Sequence, residues 1–211
     1  EKVKNMSVEK LLNKEVDTSI LKDATMTPNG ALFKTTQKGF LPELMQKMYD
    51  DRVKFKQLMI EAQKDYEKTK DPKLQKTIAK FNNIQMAKKI SLNSAYGAIG
   101  NVWFRYYNLL VAEAITTSGQ LAIRYIEHTL NQYLNKILNT RGEDYIIASD
   151  TDSVYITFDN LVSKVFVSDT DDNKIVEFLD RVAKEKLEPF IDKSYQDLAE
   201  YVNAYEQKMQ M

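Results

Sequence analysis

Cysteine is absent from the 211 residues, and histidine occurs once. No disulfide can form, the lack of thiols fits a reducing compartment, and chemistry that runs through a cysteine nucleophile is excluded. Net charge is lacking too, since 30 Lys and Arg balance 30 Asp and Glu. Bulk charge therefore gives no argument for nucleic acid, and any such argument must come from local clustering. No stretch approaches the roughly 20 apolar residues of a membrane span, and no basic segment followed by an apolar one marks a secretory signal. The chain begins at Glu1 rather than Met, which raises the expectation that it is a piece of something longer. What is present is a 43% hydrophobic composition, enough for a packed core and against wholesale disorder.

The periodicity is mostly helical. After a polar segment, a turn at Thr27-Pro28-Asn29-Gly30 and a short extended stretch from Ala31 to Thr36, apolar residues recur near a 3.6 period from Glu43 to about Lys68 (Leu44, Met48, Phe55, Leu58, Met59, Ala62). Thr69-Lys70-Asp71-Pro72 breaks that pattern, because Pro72 cannot continue a helix and disfavours helical Asp71. A second helix is expected from about Lys73 to Tyr96, ended by Gly97 and Gly100, and the two together as an antiparallel hairpin. A third spans about Ala112 to Leu138, with Ile115, Ala122, Ile126, Leu130, Leu134 and Ile137 on one side. A last one runs from about Lys174 toward Gln207 with a bend at Pro189. The expected fold class is α/β (α+β): a helical hairpin attached to a small antiparallel sheet that long helices back.

That sheet carries the most informative residues. Tyr145-Ile146-Ile147-Ala148 leads into Ser149-Asp150-Thr151-Asp152-Ser153, and Val154 to Phe158 leads out. Two carboxylates at the tip of an apolar hairpin are costly if buried, and a hard cation such as Mg²⁺, which takes carboxylate oxygens, removes that cost. A Mg²⁺ site of this kind points to phosphoryl transfer.

The helical hairpin supplies a counterpart. Folded at Lys70-Asp71, it sets Arg52 level with Lys89, and Lys56 level with Gln85. Arg52 and Lys56 are four apart and share a face, as do Lys89, Asn93 and Tyr96. Converging guanidinium and ammonium donors suit a triphosphate. Lysine at four-residue spacing is equally the mark of a solvated helix face.

Two segments together resemble a known family. Lys89-Ile90-Ser91-Leu92-Asn93-Ser94-Ala95-Tyr96-Gly97 is similar to the K-x-x-x-N-S-x-Y-G signature of family B DNA polymerases, and Ser149-Asp150-Thr151-Asp152-Ser153 is similar to their Y-G-D-T-D-S signature. Gly97 to Tyr107 and Ala114-Ile115-Thr116-Thr117 resemble the replicative polymerases of myovirus-type bacteriophages. The resemblance runs from about Thr27 to the C-terminus. It implies fingers at 43–100, a partial palm at 1–42, and palm carrying the Asp hairpin at 101–211. It further implies that Arg52, Lys56 and Lys89 contact the incoming dNTP, that Asn93 lies beside it, and that Tyr96 and Gly97 face the nascent base pair. Asp152 becomes the principal metal ligand, Asp150 a nearby carboxylate of lesser importance, and Thr151 lies between them in the metal set. Two Mg²⁺ ions would serve the complete enzyme. The implied partners are a DNA primer-template and dNTPs, and the implied location is the cytoplasm of the infected bacterial host.

The departures matter as much. Residues 1–42 contain no D-x-x-S-L-Y-P motif, which supplies the family's second catalytic aspartate; Asp17-Thr18-Ser19-Ile20 is the nearest string. No exonuclease or thumb is recognisable, Ala148-Ser149 stands for the usual Tyr-Gly, and the fingers hairpin looks short. The expectation is a fingers and partial-palm fragment, inactive alone, that needs the remaining polymerase segments or a complementary polymerase chain. A subunit of a split polymerase and a non-catalytic nucleotide- or DNA-binding module are the alternatives. A reverse transcriptase or nucleotide cyclase is disfavoured by Asn93-Ser94 with Tyr96-Gly97.

Smaller features carry less. Asp169 to Asn173 begins like a Ca²⁺ loop, but Lys174 stands where that loop needs Gly, which favours an acidic surface loop. His128 reads as a surface or satisfied helix residue. Trp103, Phe104, Tyr106 and Tyr107 are expected to pack as an aromatic cluster, with base stacking as the alternative. Gly97 and Gly100 either cap the helix or admit the template.

Overall fold

The computed structural model describes residues 3–166 and 171–209. It is an α+β structure of long helices with two small antiparallel sheets. Among the described residues no helix is long and apolar enough to cross a membrane. The chain divides into two compact units, one of residues 37–112 and one of residues 1–36 with 113–211.

The 37–112 unit is a helical hairpin of α2 (Phe40–Thr69) and α3 (Pro72–Ile99). The corner falls where the sequence breaks. Lys70 turns left-handed at φ 56° and its amide donates to the Tyr66 carbonyl, which ends α2. Asp71 then accepts from the Lys73 amide at 2.9 Å, and Pro72 takes the first helical position, where a missing N–H costs nothing. Phe55 and Phe81 meet with ring centroids 6.0 Å apart, Ala62 is buried, and Gln75 donates to the Tyr66 hydroxyl at 2.6 Å.

Two boundaries differ from expectation. The first helix begins at Phe40 and includes Pro42, because a proline in the first turn forfeits no helical hydrogen bond. The second continues through Gly97 to Ile99, and Gly100 alone is its C-cap. Gly97 is therefore a helix-interior residue and not a terminator.

The other unit is built on α4 (Leu109–Leu138), whose first residues belong to the hairpin unit. Leu121, Ile126, Leu130 and Leu134 of α4 pack with Leu11 of α1 (Val8–Leu12), with Tyr145, and with Ile191, Tyr195 and Leu198 of α7 (Glu188–Tyr201). Ile115 and Ile137, expected on the buried side, are exposed, since a 3.6 period drifts off a fixed stripe over eight turns. A bidentate contact from Arg124 to Glu9 ties α1 to α4. β1 (Ala24–Met26) pairs antiparallel with β2 (Leu32–Lys34) around the expected turn. The N-terminal segment is fastened to the end of α7. Asn203 donates to the carbonyls of Leu21 and Ala24, and the Met26 amide and Thr25 hydroxyl both donate to the Val202 carbonyl.

α5 (Asp159–Val165) follows the second sheet, and the Lys164 ammonium donates to the carbonyl of Leu138, at the end of α4 where the helix leaves its last acceptors over. α6 (Asp172–Val182) follows, capped by Asp171, and then a π-helical turn from Ala183 to Leu187 leads into α7. The expected bend before Pro189 is thus a widened turn, and α7 stops at Tyr201, short of Gln207. Residues 169 and 170 of the acidic loop lie outside the described residues.

Candidate functional site

β3 (Ile146–Asp150) and β4 (Ser153–Ile156) form the Asp hairpin, with Asp150 opposite Ser153, Ser149 opposite Val154 and Ala148 opposite Tyr155. Two asparagines of α4 hold its entry. Asn131 accepts from the Tyr145 amide at 2.8 Å, and Asn135 donates to the Glu143 carbonyl at 2.7 Å and accepts from its amide. The Tyr145 ring is fully buried, and its hydroxyl meets that of Thr140 at 2.8 Å. Asn131 and Asn135 are supports of the hairpin that the sequence does not single out; their four-residue spacing on one helix face is the signal that was there to find.

The loop itself is two residues, Thr151 and Asp152. Thr151 is left-handed at φ 52°, an unusual conformation for a β-branched residue. The Asp152 amide donates to the Asp150 carbonyl at 2.5 Å, closing a γ-turn, and the Ser153 hydroxyl donates to the same carbonyl at 3.1 Å. The Thr151 hydroxyl donates to the Asp150 carboxylate at 3.0 Å. Among the described residues no hydrogen bond or ion pair engages the Asp152 carboxylate.

Both carboxylates are exposed, which corrects the premise of a buried pair. A two-stranded hairpin has too little mass around its tip to desolvate it, so no burial cost calls for a cation. Nor do the described residues contain a group of three His, Cys, Asp or Glu able to hold a metal ion. What remains is a half-set of hard oxygen donors, Asp150, Thr151 and Asp152 in succession. Mg²⁺ is commonly held by one or two carboxylates with water and substrate phosphate completing its shell, and the donors fit that pattern. Tyr195 of α7 lies within the electrostatic reach of Asp152. Burial raises its phenol above the usual value, and the Asp152 charge adds to the rise.

On the helical hairpin, an ion pair joins the two helices. The Lys88 ammonium reaches the Asp51 carboxylate at 2.6 Å. Arg52 lies one residue nearer the corner than Asp51, and Lys89 one residue farther from it than Lys88, so the two cations flank the ion pair along the hairpin axis with an offset of about 3 Å. Lys56, Lys89, Asn93 and Gly97 are exposed, Tyr96 is 44% exposed, and Arg52 is half-buried. The Arg52 Nε is buried with no hydrogen-bond acceptor among the described residues. An unpaired buried donor costs about 1–3 kcal/mol, and an anion is what such a donor lacks. At Gly97 an added Cβ would meet nothing within 4 Å, so the chain's own packing does not require glycine there.

The aromatic connector behaves differently from expectation. Phe40, Phe104 and Tyr106 form edge contacts at 5.1 and 5.7 Å, but Trp103 is 91% exposed and joins no ring contact among the described residues. The Asn101 side chain accepts from its amide and fixes the loop without covering the indole. His128 is an exposed helix residue beside Gln132.

The Asp150-Thr151-Asp152 hairpin tip on one unit, and Lys89 to Gly97 of α3 on the other, carry the two signatures that resemble family B DNA polymerases. The family model for DNA polymerase family B matches residues 3–189, and the chain belongs to that family. Among its relatives, the DNA-directed DNA polymerase of Escherichia phage RB69 is 34% identical over 84% of this chain and 24% of its own length. That of Enterobacteria phage T4 is 46% identical over 62% of this chain and 15% of its own. The DNA polymerase delta catalytic subunit of Arabidopsis thaliana is 33% identical over 64% of this chain and 12% of its own length. The chain thus spans about a quarter or less of the relatives it matches. Family B DNA polymerases are generally metal-dependent, and the bacteriophage relatives agree with the resemblance drawn from the motifs.

Proposed function

We propose that the chain is the fingers and part of the palm of a DNA-directed DNA polymerase, transferring deoxynucleotides from dNTPs to a primer 3′-OH on a DNA template. The observation that carries it is the co-occurrence, in a chain whose family is established, of Asp150-Thr151-Asp152 on a hairpin tip and a K-x-x-x-N-S-x-Y-G segment on α3. Residues 43–100 act as fingers, 101–211 as palm, and 1–42 as a partial palm. In this reading the work belongs to the cytoplasm of an infected bacterium, which the phage relatives support.

In this reading Asp152 and, secondarily, Asp150 and Thr151 hold Mg²⁺. The metal, when bound, stabilises charge on the attacking and leaving oxygens. The rest is done by the chain itself. Arg52 offers a preorganised fork and an unsatisfied Nε donor, while Lys56 and Lys89 offer point charges to the triphosphate. Asn93 orients the nucleotide, and Tyr96 with the side-chain-free Gly97 lets the nascent base pair lie against α3. The rigid entry set by Asn131 and Asn135 keeps the carboxylates in place.

The 211 residues carry no D-x-x-S-L-Y-P motif, so a second catalytic aspartate comes from other polymerase segments or from a complementary chain. The test is primer extension with Mg²⁺ and four dNTPs. The chain alone gives no product, and a chimera in which it replaces the matching segment of the RB69 polymerase extends the primer. Templated synthesis by the isolated chain, or a folded chimera with none, overturns the reading.

A further inference from the structure

Apolar packing between two helices is non-directional and tolerates sliding, and most of the α2–α3 contact is of that kind, centred on Phe55, Phe81 and Ala62. Near the corner the alignment is fixed by Asp71 and by Gln75 on Tyr66. About five helical turns away, where the nucleotide-facing cations begin, one directional contact remains. The Lys88 ammonium is 2.6 Å from the Asp51 carboxylate, and no other ion pair joins the two helices among the described residues. The pair sits one residue before Arg52 on α2 and one residue before Lys89 on α3.

We propose that Asp51 and Lys88 are positioning residues that lock the register of the hairpin, so that Arg52 and Lys89, which flank the pair along the hairpin axis, present their charges to one polyphosphate. The inference rests on the clamp reading above. Charge-assisted hydrogen bonds are short and directional, and a slip of one residue would move Lys89 by about 1.5 Å along and 100° around its helix. The Lys88 hydrogen bond holds the Asp51 carboxyl below its usual value, with Lys47 and Lys54 adding to the pull, so Asp51 is a carboxylate at neutral pH.

The alternative role for Asp51 is simple electrostatics, and it has the opposite sign. An aspartate among Lys47, Lys54 and Lys88 lowers the local positive potential, so its removal would tighten binding of any anion. A register lock predicts looser binding despite the gained positive charge.

The experiment is calorimetric titration of the 211-residue chain with inorganic tripolyphosphate at low salt, with thermal unfolding of each variant alongside. The unsubstituted chain binds, and Arg52→Ala and Lys89→Ala each weaken binding. Asp51→Asn and Lys88→Met each weaken it about three- to fivefold, in line with an exposed pair of this kind. The charge-reversed Asp51→Lys/Lys88→Asp chain recovers to within about twofold of the unsubstituted chain. Asp51→Asn binding equally or more tightly overturns the lock while leaving the clamp intact, as does a folded charge-reversed chain no better than Asp51→Asn. Failure of the unsubstituted chain to bind tripolyphosphate overturns the clamp reading, and the lock with it.

Discussion

The amide of Asp152 donates to the carbonyl of Asp150 at 2.5 Å, bending the chain around a left-handed Thr151. The two carboxylates of the signature therefore project from a γ-turn held from three sides, by this bond, by Ser153 on the same carbonyl, and by Thr151 on the Asp150 carboxylate. The strain sits at the residue between the candidate metal ligands, where a functional site is the usual reason for it.

Thr151→Gly should relieve that strain. A left-handed residue with a Cβ costs about 1–2 kcal/mol, and the added freedom of glycine offsets part of it, about 0.5–1 kcal/mol. Urea unfolding should show stability equal to the parent or up to about 1 kcal/mol higher. Polymerisation by the chimera should fall, because the hydroxyl on Asp150 is lost. A clear loss of stability would show that Thr151 is not strained.

Gly97 lies inside α3 with open space where a Cβ would be. Gly97→Ala should stabilise the chain by about 0.5–1 kcal/mol, the helix-interior difference between the two residues. In the proposed reading the same change should impair nucleotide incorporation, since a methyl group would then stand against the nascent base pair. Undiminished incorporation by Gly97→Ala would remove that role.

Gly30 presents the opposite case. Its φ is 84°, and a Cβ would come 2.2 Å from the Val3 carbonyl oxygen. Val3 also donates its amide to the Gly30 carbonyl at 2.8 Å, so the two backbones cannot part without losing that bond. Gly30→Ala should cost about 1–3 kcal/mol in denaturant unfolding and leave the hairpin unit untouched. A neutral result would mean that the N-terminal segment is not docked as described.

Burial, followed by the charge of Asp152, raises the Tyr195 phenol above its usual value. A group whose folded pKa lies above its unfolded one stabilises the fold below the unfolded value, near 10, and loses that contribution as pH rises through the folded value. Stability should therefore fall above about pH 10, and Tyr195→Phe should flatten the fall. Identical alkaline profiles for the parent and Tyr195→Phe would contradict the assignment.

The family and the Asp hairpin's place in the fold were legible because two short motifs fix both residue types and spacing, and the Lys70-Asp71 corner because Pro72 leaves little choice. Other features were not. Gly97 reads as a helix end by its type, yet the helix runs on because Ala98 and Ile99 pack as part of it and Gly100 suffices as a cap. The exposure of Asp150 and Asp152 follows from how little surrounds the tip, which a local apolar pattern cannot reveal. The Asp51–Lys88 pair spans 37 positions, and nothing in either helix alone distinguishes it from a solvated face. Trp103 is exposed because Asn101 organises the backbone around it rather than the side chain, which composition does not show.

The central claim is that Asp152 leads the catalytic chemistry of a fingers and partial-palm segment. Primer extension by the RB69 chimera, measured for Asp152→Asn and Asp150→Asn beside the parent, tests it most directly. Synthesis should disappear in Asp152→Asn and only weaken in Asp150→Asn, with both proteins folded. Full synthesis by Asp152→Asn, or a greater loss in Asp150→Asn, would contradict the account.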